Sequence, residues 1–445
     1  VPYLLLGMTN SKQFRGAFIT VTSLFFMWGF ITVLVDALIP RLKDVFELTY
    51  LQAGLVQFAW FTAYGVISIP GGRMIKRIGY KNGIMAGLSL AAIGCLIFYP
   101  AASTRLFPLF LLALFVVASG ITILQVAANP YISVLGSEEG ASSRLNLAQA
   151  FNSLGTTIAP IISAGYLLGD TVKTGDEQAS MTSAALELYR SAEAGAVQGP
   201  FVILAVAFLL LAFVIRKVAL PRILEGGGEE GRLSALFANR RLMAGAAGIF
   251  VYVGAEVALG SYMVNYGLKL NVHELMQSHP FLENMAGLAA SIKGQSVMDL
   301  DPKGKLGVLL TFYWGGAMVG RFIGAGLMQR LKPSLLLGVF STAALVLVVA
   351  SSSATGLSAL LMLLAVGLFN SIMFPTIFTL GIAELGDAKP QGSGILCTAI
   401  VGGAVIPPAF GALVDASGFG LALLLPALCY AYIAGFGFRI SRMAH

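Results

Sequence analysis

Two carboxylates and a row of amides stand where the sequence otherwise reads as oil. Asp36 and Glu256 lie inside long apolar runs, and so do Gln125, Asn129, Asn146, Gln149, Asn152, Asn265 and Asn370. A charged side chain at the centre of a bilayer costs at least ~3 kcal/mol, so the few ionisable groups inside such runs are candidates for function by default. Glu256 is the deeper of the two carboxylates, roughly 22 Å into its run at about 1.5 Å per helical residue. Spacing sorts the amides. Gln125 and Asn129 are four apart, and Asn146, Gln149 and Asn152 follow at intervals of three, so each set falls on one helix face. A polar stripe on an apolar helix faces protein or water rather than lipid. Blander roles stay open for all of them: each amide can be an interhelical hydrogen bond worth about 1 kcal/mol, Glu256 a structural partner for an amide, and Asp36 an interfacial acid paired with Arg41 or Lys43.

Other chemistries are narrowed by what is missing. His273, His279 and His445 lie in a long polar stretch or at the tail, which excludes a histidine proton relay inside the apolar runs. Cys95, Cys397 and Cys429 are scattered singly through apolar sequence, without the spacing of zinc ligands or of a disulfide framework. No nucleophile elbow, phosphate loop or metal-ligand cluster is present, so neither an enzyme, a structural metal nor a cofactor is expected.

The elements that must hold these groups follow from composition. Of 445 residues 57% are hydrophobic and 11% charged, against about 25% charged in soluble domains. Twelve apolar runs, each near the ~20 residues that cross a bilayer, fall at 16–40, 50–72, 82–101, 105–136, 143–168, 198–219, 241–269, 304–329, 333–352, 355–384, 389–414 and 419–439. The first carries no small-residue cleavage pattern and is expected to stay as a helix. An all-α membrane protein with twelve transmembrane helices is predicted. Its 28 Lys and Arg exceed its 21 Asp and Glu, but without a cluster resembling a nucleic-acid footprint. Nineteen of those cations fall on one side of the predicted spans and nine on the other, which sets both termini in the cytoplasm.

Between the sixth and seventh runs the chain turns hydrophilic around Glu225-Gly-Gly-Gly-Glu-Glu-Gly-Arg, a flexible charged connector. The expected organisation is a six-helix bundle at 1–219, a cytoplasmic linker at 220–240 and a second bundle at 241–445. Two echoes suggest a parallel duplication. Pro130-Tyr-Ile-Ser-Val-Leu-Gly matches Pro375-Thr-Ile-Phe-Thr-Leu-Gly, and Gly72-Arg-Met-Ile-Lys-Arg matches Gly326-Leu-Met-Gln-Arg-Leu. Arg73, Lys76 and Arg77, with Arg330 and Lys332 in the second half, are expected to act as inner-side anchors and gate contacts. The stretch 270–305 is long for an outer loop, and is either a cover over an entrance or a surface excursion.

Longer strings carry a family resemblance. Trp28-Gly-Phe-Ile-Thr-Val-Leu-Val-Asp-Ala-Leu-Ile-Pro, Gln125-Val-Ala-Ala-Asn-Pro-Tyr, Arg144-Leu-Asn-Leu-Ala-Gln-Ala-Phe-Asn-Ser-Leu-Gly, Tyr252-Val-Gly-Ala-Glu and Phe374-Pro-Thr-Ile-Phe-Thr-Leu-Gly-Ile resemble the major facilitator superfamily, in its fucose/glucose–galactose symporter branch, over nearly the whole chain. The resemblance implies two pseudo-symmetric six-helix bundles in the inner membrane of a bacterium, alternating access, and a hexose carried with a cation. The Ala-Glu pair ending at Glu256 and the Gln at 125 are more similar to the glucose and galactose carriers than to the fucose carriers.

The resemblance also places Asp36 where the fucose carriers hold a proposed proton-binding aspartate. It places Gln125 where they have a glutamate, and an amide cannot exchange a proton at physiological pH. Coupling through Asp36, Gln125 and Glu256 is therefore expected to use Na⁺ ahead of H⁺, since a carboxylate with neutral oxygens suits Na⁺, which would sit near Asp36. Sugar recognition calls for groups that donate and accept at once, with aromatic faces for the apolar side of the ring. Gln149 and Asn152 lead the expected contacts, followed by Gln125, Asn129, Glu256, Asn265 and Asn370. Trp28, Phe61, Tyr262 and Trp314 are the aromatic candidates, each equally suited to packing or to an interfacial belt. The partners expected are sugar and lipid. Neither nucleic acid nor an obligate protein partner is implied, and a monomer is expected.

Overall fold

The computed structural model describes residues 12–46, 50–166, 180–221, 223, 233–272, 280–292 and 302–443. Within these, side chains are described except at 12–13, 35–46, 50–54, 160–166 and scattered positions in three other helices. Every regular element described is helical: α1 (Lys12–Phe46), α2 (Tyr50–Ile78), α3 (Tyr80–Thr104), α4 (Phe107–Val134), α5 (Ala141–Tyr166), α6 (Ser183–Lys217), α7 (Leu233–Ala238), α8 (Arg240–Lys269), α9 (Pro280–Ile292), α10 (Pro302–Leu327), α11 (Pro333–Ser353), α12 (Gly356–Asn370), α13 (Met373–Ile382), α14 (Lys389–Thr398), α15 (Gly402–Ala422) and α16 (Leu424–Met443). Among the described residues, ten helical stretches are long and apolar enough to cross a membrane. Neither α2 nor α5 is among them over its described residues; α5 carries Arg144 and the amide stripe.

Helix ends follow local chemistry. Asn239 opens α8 by accepting the Leu242 N–H at 3.0 Å, and Thr182 opens α6 by accepting that of Ala185 at 3.3 Å. That cap starts α6 well before the apolar run predicted from 198, because 183–197 is a polar extension of the same helix. At the other ends, basic side chains take up carbonyls that no backbone N–H can reach. Arg144 donates to the carbonyls of Ser133 (2.6 Å) in the last turn of α4 and Ser137 (2.7 Å) beyond it, Lys81 to those of Arg216 (2.9 Å) and Val218 (2.7 Å) at the end of α6, and Arg241 to that of Leu380 (2.7 Å) in α13. All three lie on the face where α2 ends and α3 begins, called the basic face below.

Packing repeats in order along the chain. α1 lies on α5, α2 on α4, and α3 on α4 and α6; correspondingly α8 lies on α15, α10 on α12, and α11 on α12 and α16. The approach of α1 to α5 is close enough that a Cβ added at Gly29 would lie 2.7 Å from the Asn152 amide nitrogen. Between the two groups the partners swap, α2 packing on α14 and α5 on α10, as a two-fold relation requires. α9, from the long polar stretch, packs on α10 and has no counterpart in the first group of described helices. Two runs predicted as continuous are broken. The tenth divides into α12 and α13 at Ser371–Ile372, and the eleventh into α14 and α15 around a 3₁₀ turn at Ala399–Val401.

Candidate translocation site

The echoed prolines explain the first feature of the site. Proline lacks an N–H and leaves the carbonyl four residues earlier without its helical partner. Pro130 thereby frees Val126 O, and Pro375 frees Ser371 O. Both are taken by side chains: Ser393 of α14 donates to Val126 O at 2.9 Å across the two halves, and the Arg321 Nε of α10 donates to Ser371 O at 3.1 Å. The repeat thus builds two equivalent breaks, filled by different chemistry.

In the first half the amides fan out from α4 and α5. Gln149, 8% exposed, donates to Asn129 Oδ1 at 3.4 Å. Asn152 donates to Phe25 O of α1 at 2.9 Å, and Gln125 to the Tyr64 hydroxyl of α2 at 2.7 Å. Asn146 turns toward the second half, donating to Ser142 O (2.8 Å), Thr376 Oγ1 (3.2 Å) and Met328 Sδ (3.3 Å). Asn129 Nδ2 and Asn146 Oδ1 are buried without a partner, hydrogen-bonding capacity of the kind that water or ligand fills. Trp28 is buried with its ring 5.3 Å from that of Phe25, and Phe61 is buried. Asp36 lies on α1, but its side chain is outside the described residues.

In the second half the polar groups are a carboxylate, phenols and a guanidinium. Glu256, partly buried on α8, accepts from the Tyr252 hydroxyl at 2.7 Å. Fully buried Asn370 donates to the Tyr313 hydroxyl at 2.7 Å, and that hydroxyl donates to Glu256 O at 3.4 Å. Two sequence candidates, Glu256 and Asn370, therefore share one network. Trp314 borders it, its ring 5.1 Å from that of Tyr313, and is 46% exposed. Tyr262 and Asn265 stand apart: Tyr262 packs on Phe410 at 5.3 Å, and Asn265 is exposed further along α8.

Sequence reading missed Tyr64, Tyr252, Tyr313, Tyr430, Ser153 and above all Arg321, counted among cations at the cytoplasmic side. Arg321 points inward, bonded to Ser371 O in its own half and to Ser153 Oγ of α5 in the other. Its place well inside the predicted 304–329 span was the available signal, as was the four-residue spacing of Tyr252 and Glu256.

The halves meet at the basic face. Ser142 and Thr379 share a hydrogen bond of 2.6 Å, Ser143 donates to Ala325 O at 2.7 Å, and Lys389 pairs with Glu138 at 3.5 Å. Where α2 crosses α14, a Cβ at Gly72 would lie 2.6 Å from Pro390 O, and one at Gly394 2.6 Å from Ser68 O. Of the expected gate cations, Arg73, Arg77 and Arg330 are exposed and Lys76 is partly buried. Arg77 lines a cleft of about 520 Å³ with Lys81 and Arg216. On the opposite face, Arg105 forms a two-pronged pair with Glu187 that raises the guanidinium above the ordinary arginine range. Both groups are substantially exposed, so the pair adds little stability.

Residues 16–408 match the Major Facilitator Superfamily. The chain is 47% identical over 434 residues to a glucose/galactose transporter of Brucella abortus, covering 96% of this chain and 95% of the relative. It is 34% identical over 433 residues to the L-fucose-proton symporter of Escherichia coli, covering 95% and 93%. A crystal structure of a transporter of the superfamily in the outward conformation superposes with a TM-score of 0.84 at 32% identity, covering 96% of this chain and 99% of the other.

Proposed function

Because this chain belongs to the Major Facilitator Superfamily, a family of transporters and not of enzymes, we propose that it imports a hexose of the glucose/galactose type together with a cation, by alternating access. It is a multi-pass membrane protein. We place it in the bacterial inner membrane with both termini cytoplasmic, so that the basic face is the inner face. The groups 1–219 and 241–445 are the rocking bundles, and 220–240 is their linker. Inter-half bonds along the inner ends of α2, α5, α10, α13 and α14, with the likeness to a transporter in the outward conformation, support a state sealed toward the cytoplasm.

The carrying observation is the contrast in polar groups. Gln125, Asn129, Gln149 and Asn152 offer neutral groups that both donate and accept, suited to hydroxyls. Glu256 and, by its position on α1, Asp36 offer charge for a cation. Na⁺ is our first assignment, on the pairing of carboxylates with neutral oxygens. The name of the Escherichia coli relative, an L-fucose-proton symporter, favours H⁺ as the second reading.

Vesicle uptake of labelled glucose and galactose, with Na⁺ and pH varied independently, tests the assignment. Accumulation against a gradient driven by either ion is expected. Asp36→Asn is expected to abolish accumulation and spare exchange. Equal uptake under all ionic conditions would instead make the protein a uniporter.

A further inference from the structure

We propose that Glu256 is the binding site of the co-transported cation in the second half, and that Arg321 relays its occupancy to α5 through Ser153. This rests on the reading of the protein as a coupled sugar carrier. It differs from a site at Asp36 in locating the cation among α8, α10, α12 and α16.

The geometry around Glu256 is that of an acid with no bonded counter-charge among the described residues. Its described hydrogen bond comes from a neutral phenol, Tyr252, and it forms no ion pair among the described residues. The charged and titratable groups that act on it are Tyr252 on its own helix, Tyr313 and Arg321 on α10, and Tyr430 on α16. Arg321 is the cation of this set; it acts on the carboxylate through space, while two of its N–H groups are bonded to Ser371 O and Ser153 Oγ. A partly buried carboxylate without a bonded counter-charge is costly unless neutralised. Oxygens suited to a monovalent cation stand nearby: Asn370 Oδ1 and the Tyr430 hydroxyl are fully buried and adjoin one another. H⁺ and Na⁺ share the relevant chemistry, which is neutralisation of this carboxylate.

The relay follows from competition. With the cation bound, Glu256 has no claim on Arg321, which stays on Ser153. With the cation gone, the exposed charge draws the guanidinium back and loosens α10 from α5. Ser153 donates to Gln149 O at 3.0 Å and adjoins Asn152, so the contact sits on the helix proposed to hold sugar. Cation and sugar affinities are then linked, and by reciprocity each raises the other by the same factor.

The test uses the full chain in proteoliposomes, with labelled glucose as probe and Na⁺ and pH varied separately. In the parent, sugar affinity should rise about tenfold, a typical coupling, as the effective ion saturates; the arm that produces the rise identifies the ion. Glu256→Gln should bind sugar with the ion-saturated affinity under all conditions, and should exchange but not accumulate. Arg321→Gln and Ser153→Ala should hold that ion response below twofold, while Arg321→Lys restores part of it; a merely structural role would lower thermal stability and leave the response intact. If Glu256→Gln does not fold, Glu256→Asp should shift the half-saturating ion concentration several-fold. A parent-like response in Glu256→Gln, Glu256→Asp or Ser153→Ala overturns the proposal, as does parent-like accumulation in Glu256→Gln where Asp36→Asn has lost it. A parent that never accumulates sugar overturns the underlying reading instead.

Discussion

The two seams between the halves are related by the repeat but are made of different materials. At the first, α14 lies on α2 and α4 through backbone shape: Gly72 fits under Pro390 O, Gly394 against Ser68 O, and one hydroxyl, Ser393, fills the break left by Pro130. At the second, α5 meets α10 and α13 through exchangeable bonds. Ser142, Ser143, Asn146 and Ser153 all reach across, and the break left by Pro375 is filled by a charge. A seam fitted by shape is either closed or parted, whereas a hydrogen-bonded seam can change partners one bond at a time. The first therefore acts as a hinge stop, and the second is where the state of bound ligands can be read.

The contrast breaks most decisively at Gly72. Gly72→Leu puts four carbons where a Cβ already has no room, and should part the basic face, weakening sugar binding from the opposite face more than tenfold. Thiol labelling of a cysteine placed at Ser68 should rise in parallel. Parent-like labelling would mean that the first seam is not closed by shape. A smaller effect is expected for Ser393→Ala, which strips Val126 O of its donor at a cost of about 1 kcal/mol. Roughly fivefold more labelling should follow, without any change in the ion response of sugar affinity; a changed response would erase the functional distinction between the seams. Smallest is Glu138→Gln. Its pair with Lys389 is long and largely solvated on the Glu138 side, worth at most about 1 kcal/mol, so transport should change less than twofold, and only at low salt.

How much of this was legible in the sequence depended on what set each feature. Lipid makes apolarity a local requirement, so span edges such as 333–352 and 241–269 lie within a residue of α11 and α8. Where a polar stretch continues a helix, as before 198, no apolar signal existed and the cap at Thr182 decided. The repeat was readable from Pro130 and Pro375, but what each proline does depends on the residue facing the freed carbonyl, and Ser393 and Arg321 lie far from those prolines in sequence. Amide spacing put Gln149 and Asn152 on one helix. It did not reveal that Asn146, on the same stripe, is spent on the other half. Arg321 is hard to read because a cation in the inner part of a span is easily tallied with the topological anchors until its donors are traced.

The polarity of α5 bears on how the protein is made. A segment carrying Arg144, Asn146, Gln149 and Asn152 partitions poorly into lipid alone, and over its described residues α5, like α2, is not among the stretches apolar enough to cross. During synthesis it must leave the translocation channel already shielded, by α1 from the start of the chain or by α4 just ahead of it, both of which it packs against in the finished protein. The residues proposed to recognise sugar would thus also fix the order of assembly, with the first half closing around its own polar helix before the second half has been translated.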